Sequence, residues 1–155
     1  MDAFDRRILA VLQEDSATAL TTIARRVGLS ATPCWRRIQK LEAAGVIRKR
    51  VALLDAEKMN LGVTVFVAIR TSEHTTSWLK KFAEAAQAFP EIVELYRMSG
   101  EVDYLMRVVV ADIKAYDDFY KRLIARIPLS DVSSSFAMEQ MKYTTALPLQ
   151  ETLRG

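Results

Sequence analysis

The chain has 155 residues, half of them hydrophobic, which leaves room for one ordinary domain or two small ones with real cores and excludes disorder as the default. Its longest apolar run, Gly62 to Ile69, falls far short of the roughly 20 residues of a membrane span, and a start carrying Asp2 and Asp5 does not read as a secretion signal. The formal charge of +3 is uneven: residues 1–50 hold ten Lys/Arg against five Asp/Glu and the rest twelve against fourteen, the pattern of a basic nucleic-acid-binding head on a body with another task.

Phe4, Ile8, Leu9 and Leu12 recur at helical spacing and predict a first helix to about Glu14, capped by Asp2 with Asp5 near its positive end. Leu20, Ile23, Ala24 and Val27 predict a short second helix, opened by Thr18 and closed by Gly28. Ser30 is placed to cap a third, with Pro33 in its first turn, Cys34, Ile38 and Leu41 on one face, and Gly45 at its end. Three short helices with a tight turn over residues 28–30 make the helix-turn-helix pattern, whose last helix enters the major groove. Val46-Ile47 and Val51 to Leu54 bracket the basic run Arg48-Lys49-Arg50 and predict a small β wing. The expected organisation is a winged helix-turn-helix over 1–54, a linker over 55–61, and a second domain over 62–155.

From Gly62 the pattern turns β-branched and aromatic, and Val63 to Ile69 reads as a largely buried strand. Trp78, Leu79, Phe82 and Ala86 supply the stripe of a helix stopped at Phe89-Pro90. Ile92 to Met98 and Tyr104 to Val110 read as a hairpin, Asp112 caps a helix through Tyr116, Phe119, Leu123 and Ile127, and Val132 to Met141 makes the last strand. The order strand, helix, strand, strand, helix, strand is the ferredoxin-like βαββαβ arrangement, so the fold class is α+β.

With Cys34, Ile38 and Leu41 inward, about 100° per residue turns Thr32, Arg36, Gln39 and Lys40 outward. These types suit base reading, since Arg pairs two ways with guanine and Gln with adenine, and Thr can contact a thymine methyl. Trp35 and Arg37 lie on the flanks, where phosphate contact and packing are both open; Arg25, Arg26, Arg48, Lys49 and Arg50 suit phosphates. A charged outer face is also what any solvated helix shows, and the argument for DNA rests on one dominant sign beside a helix-turn-helix. Cys34, on the apolar face, reads as a small core residue, and a single cysteine fits a reducing cytoplasm.

Three stretches resemble the leucine-responsive (Lrp/AsnC) family of transcriptional regulators: Asp5 to Leu9; Gly28 to Ile38, continuing through Leu41-Glu42 to Gly45-Val46-Ile47; and Ser99 to Leu105 with the ending Thr144 to Leu149. Ala31 and Trp35 depart from the residues common there. The resemblance implies double-stranded DNA as partner, homo-oligomers built from dimers and often reaching octamers, and a small amino acid as allosteric ligand between regulatory domains.

It also places that ligand at the Gly100 loop. Glycine lets backbone N–H groups approach a carboxylate, and Asp103 can answer an ammonium. Ser99 and Glu101 flank the glycine, and Met98, Tyr104, Ser133, Ser134 and Ser135 are the candidates to complete the pocket. From spacing alone a plainer reading stands beside it, in which Gly100 only enables the turn and Asp103 bonds to backbone.

No phosphate loop, metal-ligand cluster or nucleophile with a nameable base occurs, so no catalytic or metal residues and no cofactor are expected. His74 reads as solvated, Asp117-Asp118 as a solvated face, and Met98, Met106, Met138 and Met141 as core or interface material. An architectural DNA-binding protein without any small-molecule signal is the nearest competing function.

Overall fold

A computed structural model of the chain describes residues 1–73 and 75–149; His74 and residues 150–155, and with them the reading of His74, lie outside the described residues. The chain divides into two compact units, Met1–Leu53 joined by the described residues from Lys142 onward, and Leu54–Met141. The last described segment therefore packs with the helical unit rather than with the domain expected over 62–155.

The first unit is built on α1 (Ala3–Glu14), α2 (Leu20–Val27) and α3 (Ala31–Ala43). A reciprocal cap starts α1: the Asp5 N–H donates to Asp2 Oδ1 at 3.0 Å and the Asp2 N–H to Asp5 Oδ2 at 2.9 Å. The expected Thr18 cap of α2 does not form. Ala19 holds that position without a side-chain bond, and the Thr18 N–H turns back to the Asp15 carbonyl at 3.2 Å. Gly28 ends α2 in the left-handed region at φ +75°, which lets the Leu29 N–H reach the Ala24 carbonyl at 2.9 Å. That turn swings α3 across the other two helices, and Ile8, Leu9, Ile23, Ala24, Val27, Cys34, Ile38 and Leu41 close into one core. Ser30 holds the N-cap position of α3 but makes no side-chain capping bond.

The β wing expected over 46–54 does not form a strand. The N–H groups of Val46 and Ile47 are already taken by the Leu41 carbonyl at 3.0 and 3.2 Å, so they finish α3 instead of opening a ladder. Val51, Leu53 and Leu54 stay exposed.

The second unit runs β1 (Val63–Arg70), α4 (Thr76–Gln87), β2 (Ile92–Arg97), β3 (Tyr104–Val110), α5 (Ile113–Arg126) and β4 (Asp131–Phe136). Its antiparallel sheet has the order β2-β3-β1-β4, the ferredoxin-like topology. Strand periodicity sorts the faces: Val65, Val67 and Ile69 of β1 and Tyr104, Met106, Val108 and Val110 of β3 are buried beneath the helices. Phe66, Ala68, Leu105 and Arg107 face the other way and are less buried. Phe82 of α4 and Phe119 of α5 are fully buried in this core, and truncating either to alanine costs about 3–5 kcal/mol by the usual cavity arithmetic. Thr75 and Asp112 cap α4 and α5 by accepting from Trp78 and Ala115 N–H groups. β4 stops five residues before Met141: its pairing with β1 ends at Phe136 opposite Val65, and the Ala137 N–H makes a last bond to the Thr64 carbonyl at 2.9 Å.

Candidate nucleic-acid interface and effector loop

On α3 the inward line of Cys34, Ile38 and Leu41 is buried, and Thr32, Pro33, Trp35, Arg36, Gln39 and Lys40 are exposed. Thr32, Arg36 and Lys40 make no side-chain hydrogen bond or ion pair among the described residues. A desolvation-free, unpaired cation is the form in which Arg is most available to a base edge or phosphate. Trp35 is 51% exposed and has no ring partner among the described residues.

Two members of the expected set are engaged. Gln39 Nε2 donates to Glu42 Oε2 at 2.9 Å, and the other oxygen of Glu42 accepts from Arg50 at 2.8 Å. Arg37, expected on the flank, instead grips the start of α1: its Nη1 lies 2.7 Å from Asp2 Oδ2 and 2.8 Å from Asp5 Oδ1. The Phe4 ring lies 5.4 Å from its guanidinium carbon. Bonds to Asp5 and then Asp2 push the Arg37 pKa further up. The Asp5 backbone N–H and then Arg37 hold the Asp2 carboxyl below its usual range. Nothing in the helical periodicity announces this clamp; it needs the crossing of α1 and α3.

An open depression of about 540 Å³ lies beside it, lined by Met1, Asp2, Asp5, Pro33, Arg36, Arg37 and Lys40. Arg37 offsets one of the two charges of its carboxylate wall, and Arg36 and Lys40 supply the positive rim. Arg48 and Lys49 are exposed.

In the second unit, Gly100 adopts φ +111° with nothing within 4 Å of where a Cβ would stand; the turn itself requires glycine there. Around it the chain is stitched by backbone. The Met98 N–H donates to the Asp103 carbonyl at 2.8 Å and the Asp103 N–H to the Ile69 carbonyl at 3.0 Å. Asp103 Oδ2 accepts from the Thr71 N–H at 2.8 Å, so one face of the carboxylate holds the end of β1. Arg70 lies 3.6 Å from Glu101 and 3.8 Å from Asp131, bridging the loop to β4. Thr71, Arg70 and Asp131 were not expected at this site, because only strand register brings them there.

The residues expected to complete the pocket do not converge within this chain. Tyr104 is buried beneath α4, its ring 5.8 Å from Trp78 and 4.7 Å from Phe82. Ser134 bonds the Tyr116 hydroxyl, whereas Ser133 and Ser135 pair with Ala68 and Phe66 on the opposite face. Period-two alternation makes this unavoidable for three consecutive serines. Met98 and Ser99 are exposed at the hairpin end.

Residues 1–42 match the AsnC-type helix-turn-helix domain, and residues 64–147 match the Lrp/AsnC ligand binding domain. The chain belongs to the Lrp/AsnC family. Among relatives, it is 52% identical over 151 residues to the DNA-binding transcriptional activator DecR of Escherichia coli, covering 97% of this chain and 99% of that protein. It is 49% identical to the glutamate uptake regulatory protein of Zymomonas mobilis, over 98% and 93% of the two chains. An AsnC family transcriptional regulator from Agrobacterium tumefaciens superposes with TM-score 0.94 at 66% identity, over 96% of this chain and 97% of that one. A Neisseria meningitidis regulator crystallised with L-methionine superposes with TM-score 0.91 at 35% identity, over the same shares. The Lrp/AsnC helix-turn-helix match therefore falls in the basic helical unit, and the ligand-binding match covers the sheet unit from residue 64 and runs on into residues 142–147 of the helical unit. No helix among the described residues is long and apolar enough to cross a membrane.

Proposed function

We propose that this Lrp/AsnC chain is a sequence-specific, DNA-binding transcriptional regulator that inserts α3 in the major groove and responds to a small amino acid. The observation that carries the DNA reading is the unpaired, outward set Thr32, Arg36 and Lys40 on a helix whose other face is buried. Arg36 reads a base edge, with Trp35 beside it; Ser30, Pro33, Lys40, Arg48 and Lys49 face the phosphates. Gln39 reads a base only after leaving Glu42, and Arg37 serves the clamp on α1 instead of DNA. A dimer presents two such helices to half-sites about one or more turns apart, and dimers assemble further, to octamers, in the cytoplasm.

The effector is an amino acid held at the loop Ser99-Gly100-Glu101 with Asp103. Its support is the left-handed Gly100 turn and the L-methionine complex of the Neisseria relative. Because Tyr104 and Ser134 turn beneath the helices, the remaining contacts come from Met98, Ser133, Ser135 and a second protomer. The engagement of Asp103 by Thr71 favours a second reading, an architectural DNA-binding protein whose loop is only structural.

Calorimetry against the twenty amino acids, with electrophoretic shifts on promoter DNA, tests both. Binding of one amino acid with a change in DNA affinity is the expected result. DNA binding with no response to any amino acid establishes the architectural reading, and no DNA binding at all rejects both.

A further inference from the structure

The ligand-binding match of the family reaches residue 147, yet from Lys142 the chain packs with the DNA-binding helices. The contact is specific. Gln13, near the end of α1, turns its amide onto one residue of the C-terminal segment: its Oε1 accepts from the Leu147 N–H at 2.7 Å, and its Nε2 donates to the Leu147 carbonyl at 3.2 Å. A primary amide carries an acceptor beside a donor, so it satisfies both polar groups of a residue as a neighbouring strand would. Two residues further on, Leu149 joins Val11, Leu12 and Leu20 in the layer packed around the helical core. Leu147 itself is exposed, so between Leu147 and Leu149 the chain departs from strand alternation, and only the backbone of Leu147 takes part in the contact. Thr144 Oγ1 accepts from the Ala146 N–H at 3.1 Å, and Pro148 has a fixed φ, so the approach is partly pre-shaped.

We propose that α1 carries a docking site for an apolar segment, that residues 144–149 fill it, and that the C-terminal segment is thereby a working part of the DNA-binding unit. Gln13 supplies the polar register, and the buried core of the three helices receives Leu149. The chain then crosses between its two units twice, once after Leu53 and once after Met141. The end of β4 and the start of the DNA-binding unit are thus joined through residues 137–143, independently of the path through residues 54–61.

Hydrogen exchange followed by mass spectrometry on the full chain tests this, comparing wild type with Gln13→Ala, Leu149→Asp and a chain ended after Met141. Exchange across residues 8–14 is expected to rise about tenfold in the last two and several-fold in Gln13→Ala, with β1 and β3 unchanged. Unchanged protection of α1 in all variants overturns the proposal. So does an equal loss of protection in β1 and β3, which would make the segment a general stabiliser with no seat of its own. Should the shortened chain fail to fold, Gln13→Ala and Leu149→Asp decide, and Gln13→Glu, which keeps the acceptor and loses the donor, is expected to fall between wild type and Gln13→Ala.

Discussion

Arg37 Nη1 on α3 lies 2.8 Å from Asp5 Oδ1 in the first turn of α1, so the helix offered to DNA is held at its middle by the helix that begins the chain. One carboxylate pair both caps α1 and receives this guanidinium. Arg37→Ala is expected to lower the thermal midpoint of the DNA-binding unit while leaving the salt slope of DNA binding unchanged. Arg37→Lys keeps the charge but not the fork, and is expected to recover only part of the midpoint. Circular dichroism melts and salt titrations separate this from a phosphate contact, whose loss would flatten the slope.

The same clamp has an acid limit. The Asp2 carboxyl is held below its ordinary value of 3.8 in the folded chain, so its contribution is present above that value and is lost as pH falls through the depressed folded value. Asp2→Asn is expected to reduce the fall in stability on acidification below about pH 4. Melts at stepped pH check it, and identical profiles for the two proteins contradict the assignment.

Arg36 and Lys49 should separate by what they read. Arg36→Ala is expected to weaken specific binding by about 1–3 kcal/mol and relax sequence choice, whereas Lys49→Ala weakens all sequences alike and reduces the salt slope by about 1. Competition binding at several salt concentrations distinguishes them. Equal discrimination by wild type and Arg36→Ala means that another face of α3 meets the bases.

Asp103 has one oxygen on the Thr71 N–H, and charge and hydrogen bonding can be parted there. Asp103→Asn keeps an acceptor for Thr71 and loses the charge an ammonium group needs. The expected result is a nearly unchanged melt with amino-acid binding weakened at least tenfold in calorimetry. Full retention of binding would leave Asp103 a structural residue of the hairpin.

Tyr116 packs under the sheet and bonds Ser134 across to β4, and burial pushes its hydroxyl pKa above the ordinary 10.0. A phenol whose folded value is raised adds stability that is complete below the unfolded value and is lost as pH rises through the folded one. Tyr116→Phe should therefore be less sensitive than wild type to alkali above about pH 10, as urea titrations at pH 9 and 11 would reveal.

Much of this architecture is legible locally. Ile8 with Leu9, Val27 with Gly28, and Cys34 with Ile38 and Leu41 announce their helices and turn, because amphipathic spacing and a left-handed glycine are properties of short stretches. The βαββαβ order is legible for the same reason. The wing failed because Val46 and Ile47 look like strand residues until the Leu41 carbonyl claims their N–H groups. The facing of the effector-loop candidates was hidden differently. Whether Ser134 faces Tyr116 or its neighbours face Phe66 depends on register, and a shift of one residue reverses every side chain. Arg37 with Asp5, and Gln13 with Leu147, span 32 and 134 residues of sequence, beyond any local pattern.

Cys34 is the only cysteine of the chain and is wholly enclosed where the three helices meet, with its thiol pKa raised by that burial. A thiol reagent in solution can thus reach it only when the helices part. The rate of alkylation of this one sulfur becomes a built-in clock for the opening of the DNA-binding unit, silent to motions of the sheet unit and readable from a single mass increment.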